Sequence, residues 1–126
     1  MRVSIVSTYP TQRCGIATYT AQLARAITDQ GNDSLTVLAE RGALDGIDGP
    51  VQSVATFQRH DEYERSILER TVKVRADIMH VQHAPDIFGM DTRLLRLLLG
   101  LRACGVRSVV RLHTVLTVWR GAMERH

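Results

Sequence analysis

Short aliphatic runs that alternate with longer stretches of helical period constrain this chain more than any other feature. Residues 2–7, 34–39, 51–57, 77–82 and 108–113 are rich in Val, Ile and Leu and read as strands. The first and last are apolar enough to predict burial on both faces. Over 16–30, Ile16, Tyr19, Leu23, Ala26 and Ile27 recur at three- and four-residue steps, and Gly31 follows as a stop. A second helix is expected over 61–74, opened by Asp61 and carrying Tyr63, Ile67, Leu68 and Val72. A third runs from a cap at Asp91 through Leu94, Leu95, Leu98 and Leu101 to Gly105, and its leucine density predicts deep burial. Gly42, Gly46, Gly49 and Pro50 mark 40–50 as a loop. The order β-α-β-β-α-β-α-β predicts an α/β fold, a doubly wound, mainly parallel sheet of about five strands in the order 3-2-1-4-5.

A chain of 126 residues with 44% hydrophobic content supplies one packed core, so residues 1–126 are expected to form a single domain. The net charge is +3, but the basic residues are scattered and form no block of the kind that grips nucleic acid. All basic residues but Lys73 are arginine, a bias typical of a GC-rich genome. The start, Met1-Arg2-Val3-Ser4-Ile5-Val6-Ser7, is too short for a signal h-region, and no run approaches the ~18 apolar residues of a membrane span. A cytoplasmic chain is expected, with surface association with a membrane neither indicated nor excluded. Cys14 and Cys104 fall on different parts of the expected fold and read as reduced thiols.

In a sheet of this order the first and fourth strands are neighbours at the switch point, and ligands bind outside the carboxyl ends there. Three segments converge on that place: Arg13-Cys14-Gly15-Ile16-Ala17, Asp77-Ile78-Met79-His80-Val81-Gln82-His83 and Leu112-His113-Thr114. Gly15 would stand at the amino end of the first helix, where free amides and the helix dipole attract an anion, or would serve only as a tight turn. His113 closes the last strand, and a neutral imidazole there can orient a substrate oxygen. His83 either lines the same cleft or hydrogen-bonds the turn at Ala84-Pro85-Asp86. His80 reads as a core histidine on the face of Ile78 and Gln82. A metal shared by His80, His83 and His113 is disfavoured, because His80 and His83 point to opposite faces of a strand and no Cys, Asp or Glu completes a set. Dinucleotide and P-loop fingerprints are absent. Cys14 lacks the arginine six positions on that a phosphatase-type thiolate needs, since position 20 is Thr20. Arg111 is unexpected inside a strand predicted to be buried.

Taken together, Tyr9-Pro10, Arg13-Cys14-Gly15-Ile16-Ala17-Thr18-Tyr19, the segment 77–83 with Ile87-Phe88-Gly89, and Leu112-His113-Thr114-Val115-Leu116 resemble the N-terminal half of glycosyltransferase family 4. The resemblance implies a GT-B enzyme of two Rossmann-like domains that performs retaining transfer from a nucleotide-sugar donor to a carbohydrate or lipid-linked acceptor. It implies no cofactor and no obligatory metal. In that family the N-terminal domain mainly binds the acceptor. Carried over by position, Gly15 with Ile16 approaches the donor phosphate, His113 lies at the reaction centre, and His83 and Thr114 are substrate-binding.

The chain departs from the family after Val115-Leu116, where Thr117-Val118-Trp119-Arg120-Gly121-Ala122-Met123 leads to His126. The donor-binding C-terminal domain is expected to be missing, leaving this domain inactive alone and in need of that domain or a partner chain. The apolar residues Val118, Trp119 and Met123 point the same way. The alternative is a free-standing, non-catalytic Rossmann-like binding or interaction module. A receiver-like signalling domain is disfavoured for want of clustered acidic residues at the first strand exit.

Overall fold

The computed structural model describes residues 1–31 and 35–113. Its elements, in chain order, are β1 (Val3–Ser7), α1 (Gly15–Asp29), β2 (Leu35–Glu40), β3 (Gly46–Asp48), β4 (Val51–Phe57), α2 (Tyr63–Val74), β5 (Ile78–His83), α3 (Pro85–Phe88), α4 (Arg93–Ala103) and β6 (Arg107–Leu112). The protein is α/β, with one six-stranded sheet in the order β3-β4-β2-β1-β5-β6. All neighbours pair in parallel except β3 and β4, which are antiparallel. The five parallel strands stand in the order expected from the sequence.

Parallel neighbours require a crossover, and the crossovers occupy both faces of the sheet. One core face holds Ile5, Leu35, Val37, Ala39 and Val51 together with Ala24 of α1. The other holds Val6, Leu38, Phe57, Met79 and Val81 with residues of α2, α3 and α4. The link from β4 through α2 to β5 passes over β2 and β1. The direction in which strands are added therefore reverses at β1, and the loops leaving β1 and β5 diverge there.

Local packing corrects several expectations. The loop 40–50 contains β3, an edge strand turned back onto β4 through Gly49, whose φ of +60° suits glycine. Tyr9 Oη donates to Asp48 Oδ2 at 3.0 Å and ties β3 to the loop after β1. The buried stripe of α1 is Ala17, Thr20 and Ala24, small residues that let the helix approach the sheet, whereas Ala26 is exposed. Gly31, at φ +101°, is the glycine stop expected after α1. In α2 the buried positions are Tyr63, Ile67 and Thr71, and Val72 faces outward. Neither Asp61 nor Asp91 is the N-cap of its helix. Those positions fall to Glu62 and Thr92, and Asp91 instead accepts from the Arg93 backbone N–H at 3.0 Å.

The leucine-rich helix is amphipathic rather than deeply buried. Leu97 and Leu101 are covered, while Leu95 and Leu99 are more than half exposed. The last strand is likewise not buried on both faces. β6 pairs with β5 alone among the described residues, and five of its six residues are exposed. Arg111 accordingly meets no desolvation problem: its guanidinium carbon lies 4.7 Å from the centre of the Tyr19 ring, a cation–π contact at the edge of the sheet.

The short helix α3, unforeseen from the sequence, is fixed by aromatic packing. Phe88 stacks on Phe57 with ring centres 5.3 Å apart and meets Tyr63 edge-on at 5.1 Å. Tyr63 Oη donates to the Phe88 carbonyl at 2.9 Å. Aromatic pairs of this kind contribute about 0.5–1.5 kcal/mol each beyond area burial.

Helices α2 and α4 meet at Gly100, where an added Cβ would stand 2.5 Å from Leu68 Cδ1. Gly100→Val is therefore expected to destabilise the protein by about 1–3 kcal/mol through overpacking, measured by urea denaturation. A stability equal to or above that of the parent would show that the contact has slack.

Candidate functional site

The reversal at β1 opens a cleft of about 450 Å³ outside the strands' carboxyl ends, lined by Cys14, Gly15, Ile16, Arg59, Ala84, Asp86, Ile87 and His113. These residues come from the loops after β1, β4, β5 and β6. Other concavities lie elsewhere, including one lined by Arg2, Val3, Ser4 and Thr36 at the amino ends of the strands. The switch-point cleft gathers a helix amino end, a histidine and the oppositely charged Arg59 and Asp86.

The amino end of α1 is built by Cys14. Its extended backbone (φ −148°, ψ 159°) makes it the N-cap, and its Sγ accepts from the Ala17 N–H at 3.3 Å. Thr8 Oγ1 lies 3.2 Å from the same sulfur. The Thr18 N–H bonds the Cys14 carbonyl, which leaves the amides of Gly15 and Ile16 as the donors of the first turn without a partner among the described residues. Gly15 is the first helical residue, its φ is not positive, and a Cβ on it would meet nothing within 4 Å. The tight-turn alternative thus loses its basis: neither backbone nor packing of the described residues requires glycine there. What glycine adds at this place is open space above two unpaired amides.

His113 stands across the cleft, one residue beyond β6. Its backbone N–H donates to the His83 carbonyl at 3.1 Å, continuing the β5–β6 ladder by one step. Its Nε2 lies 2.8 Å from Gln82 Oε1, and its ring meets Tyr19 edge-on with centres 5.8 Å apart. Burial first, then the positive charge of Arg111 and the nearby His83, hold the His113 ring below the usual imidazole value of 6.5.

The other sequence candidates fall differently. His83 is buried beneath the cleft floor rather than on its lining: Nε2 lies 3.2 Å from the Gly89 carbonyl, to which it donates, and its ring stacks on Phe88 at 5.8 Å. The ring thus bonds the end of α3 at Gly89 rather than the turn at Ala84-Pro85-Asp86. Ile16 lines the cleft with Gly15. Thr114, like Val118, Trp119 and Met123, lies outside the described residues. His80 is half-buried, its Nε2 has no partner among the described residues, and burial lowers its pKa while Gln82 works in the opposite sense. Among the described residues no group of three or more His, Cys, Asp and Glu side chains is arranged to hold a metal ion. No helix among them is long and apolar enough to cross a membrane.

Sequence reasoning missed Arg59 and Asp86. Arg59 follows β4 and clasps Glu40 at the end of β2, with Nε–Oε2 and Nη2–Oε1 distances both 2.6 Å. The Arg59 backbone N–H donates to Glu40 Oε2 at 3.2 Å and Gln12 Nε2 to Glu40 Oε1 at 2.8 Å. Glu40 is only 2% exposed, so burial would push its carboxyl up. The hydrogen bonds from Arg59 and Gln12 outweigh that and hold it below its ordinary 4.5. On the other side of the pair, the hydrogen bonds to Glu40 hold the Arg59 guanidinium above its ordinary value against the opposing effect of burial. The available signal was positional, since Gln12, Glu40 and Arg59 all sit at or just beyond strand exits. Their residue types alone announce nothing.

The sequence matches no protein-family model and no curated protein.

Arg59→Ala leaves the Glu40 carboxylate buried and short of its main partner. A loss of about 2–4 kcal/mol is expected, below the full cost of breaking a wholly buried pair because Arg59 keeps one-third of its surface in water. Chemical denaturation measures it, and a loss under ~1 kcal/mol would mean that solvent takes over the role of the guanidinium.

A pH dependence follows from the histidines. His80, His83 and His113 all have folded-state values depressed below 6.5, chiefly by burial. Between 6.5 and those lower values the unfolded chain binds protons that the folded chain does not, so stability is complete above about pH 6.5 and declines as pH falls. The urea midpoint is expected to drop between pH 7.5 and 5.5. In the same range Arg111→Gln should raise the His113 titration midpoint seen by NMR. An unchanged midpoint would remove Arg111 as a cause.

Proposed function

We propose that this chain is the acceptor-side domain of a retaining glycosyltransferase of family 4, with the Rossmann-like sheet of a GT-B enzyme. The observation that carries the reading is the meeting of Gly15 and His113 across one switch-point cleft. They are the two positions to which the sequence resemblance assigns the donor phosphate and the reaction centre. The strand order and the helices on both faces are compatible with the fold this implies.

In this reading the free amides of Gly15 and Ile16, at the positive end of α1, stabilise charge that develops on the departing diphosphate. The missing side chain at Gly15 lets the phosphate oxygens come within hydrogen-bond reach. His113, whose burial disfavours the charged ring, accepts from or donates to sugar hydroxyls and orients them for attack. Asp86 and the Arg59–Glu40 pair supply further polar groups to a hydroxyl-rich acceptor. The nucleotide-sugar is held mainly by a second, donor-binding domain, so the chain described here is a component of the transferase and needs no metal for the roles named.

Two measurements test this. Titration of the isotopically labelled chain with pyrophosphate and with nucleotide-sugars is expected to move the amide resonances of Gly15 and Ile16, and a Gly15→Val variant should lose that response. When the chain is joined to the donor-binding domain of a family 4 enzyme, transfer of radiolabelled sugar is expected, and His113→Ala should reduce it about 10²-fold or more with an unchanged circular dichroism spectrum. Unaltered turnover in His113→Ala would remove that residue from the reaction. Ligand binding with no transfer from any joined donor domain would favour the binding-module alternative.

A further inference from the structure

Gln82 is an unusual residue to find at its position. It lies next to last in β5, is fully buried, and belongs to a strand whose buried neighbours Met79 and Val81 are apolar. A buried amide costs free energy unless it is hydrogen-bonded, about 1–3 kcal/mol on the scale of protein substitutions. Its Nε2 has no hydrogen-bond partner among the described residues, so the burial is not explained by a saturated polar network. Its Oε1 accepts from His113 Nε2 at 2.8 Å across 31 residues of sequence, and its side chain also bears on the ring of His80, two residues back on the same strand.

An amide oxygen only accepts, so at this contact the imidazole must donate from Nε2. In a neutral imidazole the proton then resides on Nε2, and Nδ1 is the bare acceptor. The remainder of the ring's surroundings limits its movement without dictating a tautomer. Tyr19 of α1 packs edge-on against it, Arg111 of β6 lies over the other part of that tyrosine, and the His113 backbone is fastened to His83 of β5. Of the groups near the ring, Arg111 and His83 bear on its charge and His80 is coupled to it, and among the described residues Gln82 is the side chain that hydrogen-bonds a ring nitrogen.

We propose that Gln82 is a positioning residue that holds His113 in the Nε2–H tautomer, so that the ring offers Nδ1 as a hydrogen-bond acceptor to a substrate hydroxyl in the cleft. The inference rests on the reading of His113 as a reaction-centre residue for its functional part. The tautomer itself does not depend on that reading. Gln82 touches no substrate in this account. It makes the polarity of His113 definite, in the way that an outer partner fixes which nitrogen of a histidine is available.

The test is long-range ¹⁵N–¹H correlation NMR of the histidine ring in the whole chain, above its titration range. The wild-type protein is expected to show His113 as the Nε2–H form alone, and Gln82→Met, close in volume but with no acceptor, to show the Nδ1–H form as well. Gln82→Glu restores an acceptor and should return the ring to Nε2–H while shifting its titration midpoint upward, because a carboxylate favours the imidazolium. An Nδ1–H ring in the wild type, or a Gln82→Met spectrum identical to wild type, overturns the proposal. Should Gln82→Met fail to fold, Gln82→Glu decides alone: an unmoved midpoint overturns it. Because these spectra need neither donor nor acceptor, loss of the glycosyltransferase reading through absent transfer would be distinguishable from loss of the Gln82 assignment. In the joined enzyme, Gln82→Met is expected to lower kcat about tenfold with KM little changed, and Gln82→Glu to recover part of it.

Discussion

Everything at the candidate site depends on β1 being paired in parallel on both sides, to β2 and to β5. A parallel strand cannot be joined to its neighbour by a tight turn, so each pairing commits the chain to a crossover, and right-handedness then fixes the face on which the crossover lies. With β2 on one side and β5 on the other, α1 and α2 must lie on opposite faces. The loops above β1 and β5 part company as a result, and the cleft is the space between them. It is a consequence of connectivity rather than of any residue lining it. Four of the five residues of β1 are buried, Ile5 and Val6 contributing one apolar side chain to each core face, as a central strand covered on both sides requires.

Charged groups near the cleft are arranged so that few are left without compensation. Glu40 is the most buried of them, and its charge is tolerated because three nitrogens of Arg59 and the Gln12 amide converge on it. A buried pair of this kind adds little net stability over an apolar pair of equal shape, since desolvation takes back most of the Coulomb gain. Its effect is geometric. It fastens the exits of β2 and β4 to the loop after β1, and Arg59 thereby holds its place on the cleft wall. Asp86 reaches the opposite wall through α3, which is too short to persist by its own hydrogen bonds and is fixed by the Phe57, Tyr63 and Phe88 rings.

The strand order and the principal elements were legible because hydrophobic period and glycine stops report directly on backbone geometry, and the boundaries differ by only one or two residues at most ends. Failures came where composition and exposure part. Leu95 and Leu99 are apolar yet exposed, since a helix on an open sheet buries one stripe, and the stripe is chosen by phase rather than by leucine count. Ala17, Thr20 and Ala24 were overlooked because close helix–sheet approach selects small residues that no hydrophobicity pattern emphasises. β3 is three residues long, and a glycine-rich segment of that length carries no period to read. At the site, Gly15 and His113 were found through their position at strand exits. Arg59 was not, because its significance depends on Glu40, nineteen residues away, and pairing across a sheet is invisible in one sequence without the register.

The histidines illustrate how similar environments can support different roles. Burial is the leading cause of the depressed pKa in His80, His83 and His113 alike, so the shift alone does not distinguish a functional group from a structural one. Partners do. His83 spends its Nε2 proton on the Gly89 carbonyl and stacks its ring on Phe88, which makes it part of the support for α3. His80 sits amid the sheet with Nε2 unpartnered among the described residues, away from the strand exits. His113 has one nitrogen engaged by a buried amide and a ring on the cleft wall. Of the three it is the one whose ring both hydrogen-bonds a buried amide and lines the cleft, and that placement, more than its titration, distinguishes it from the other two.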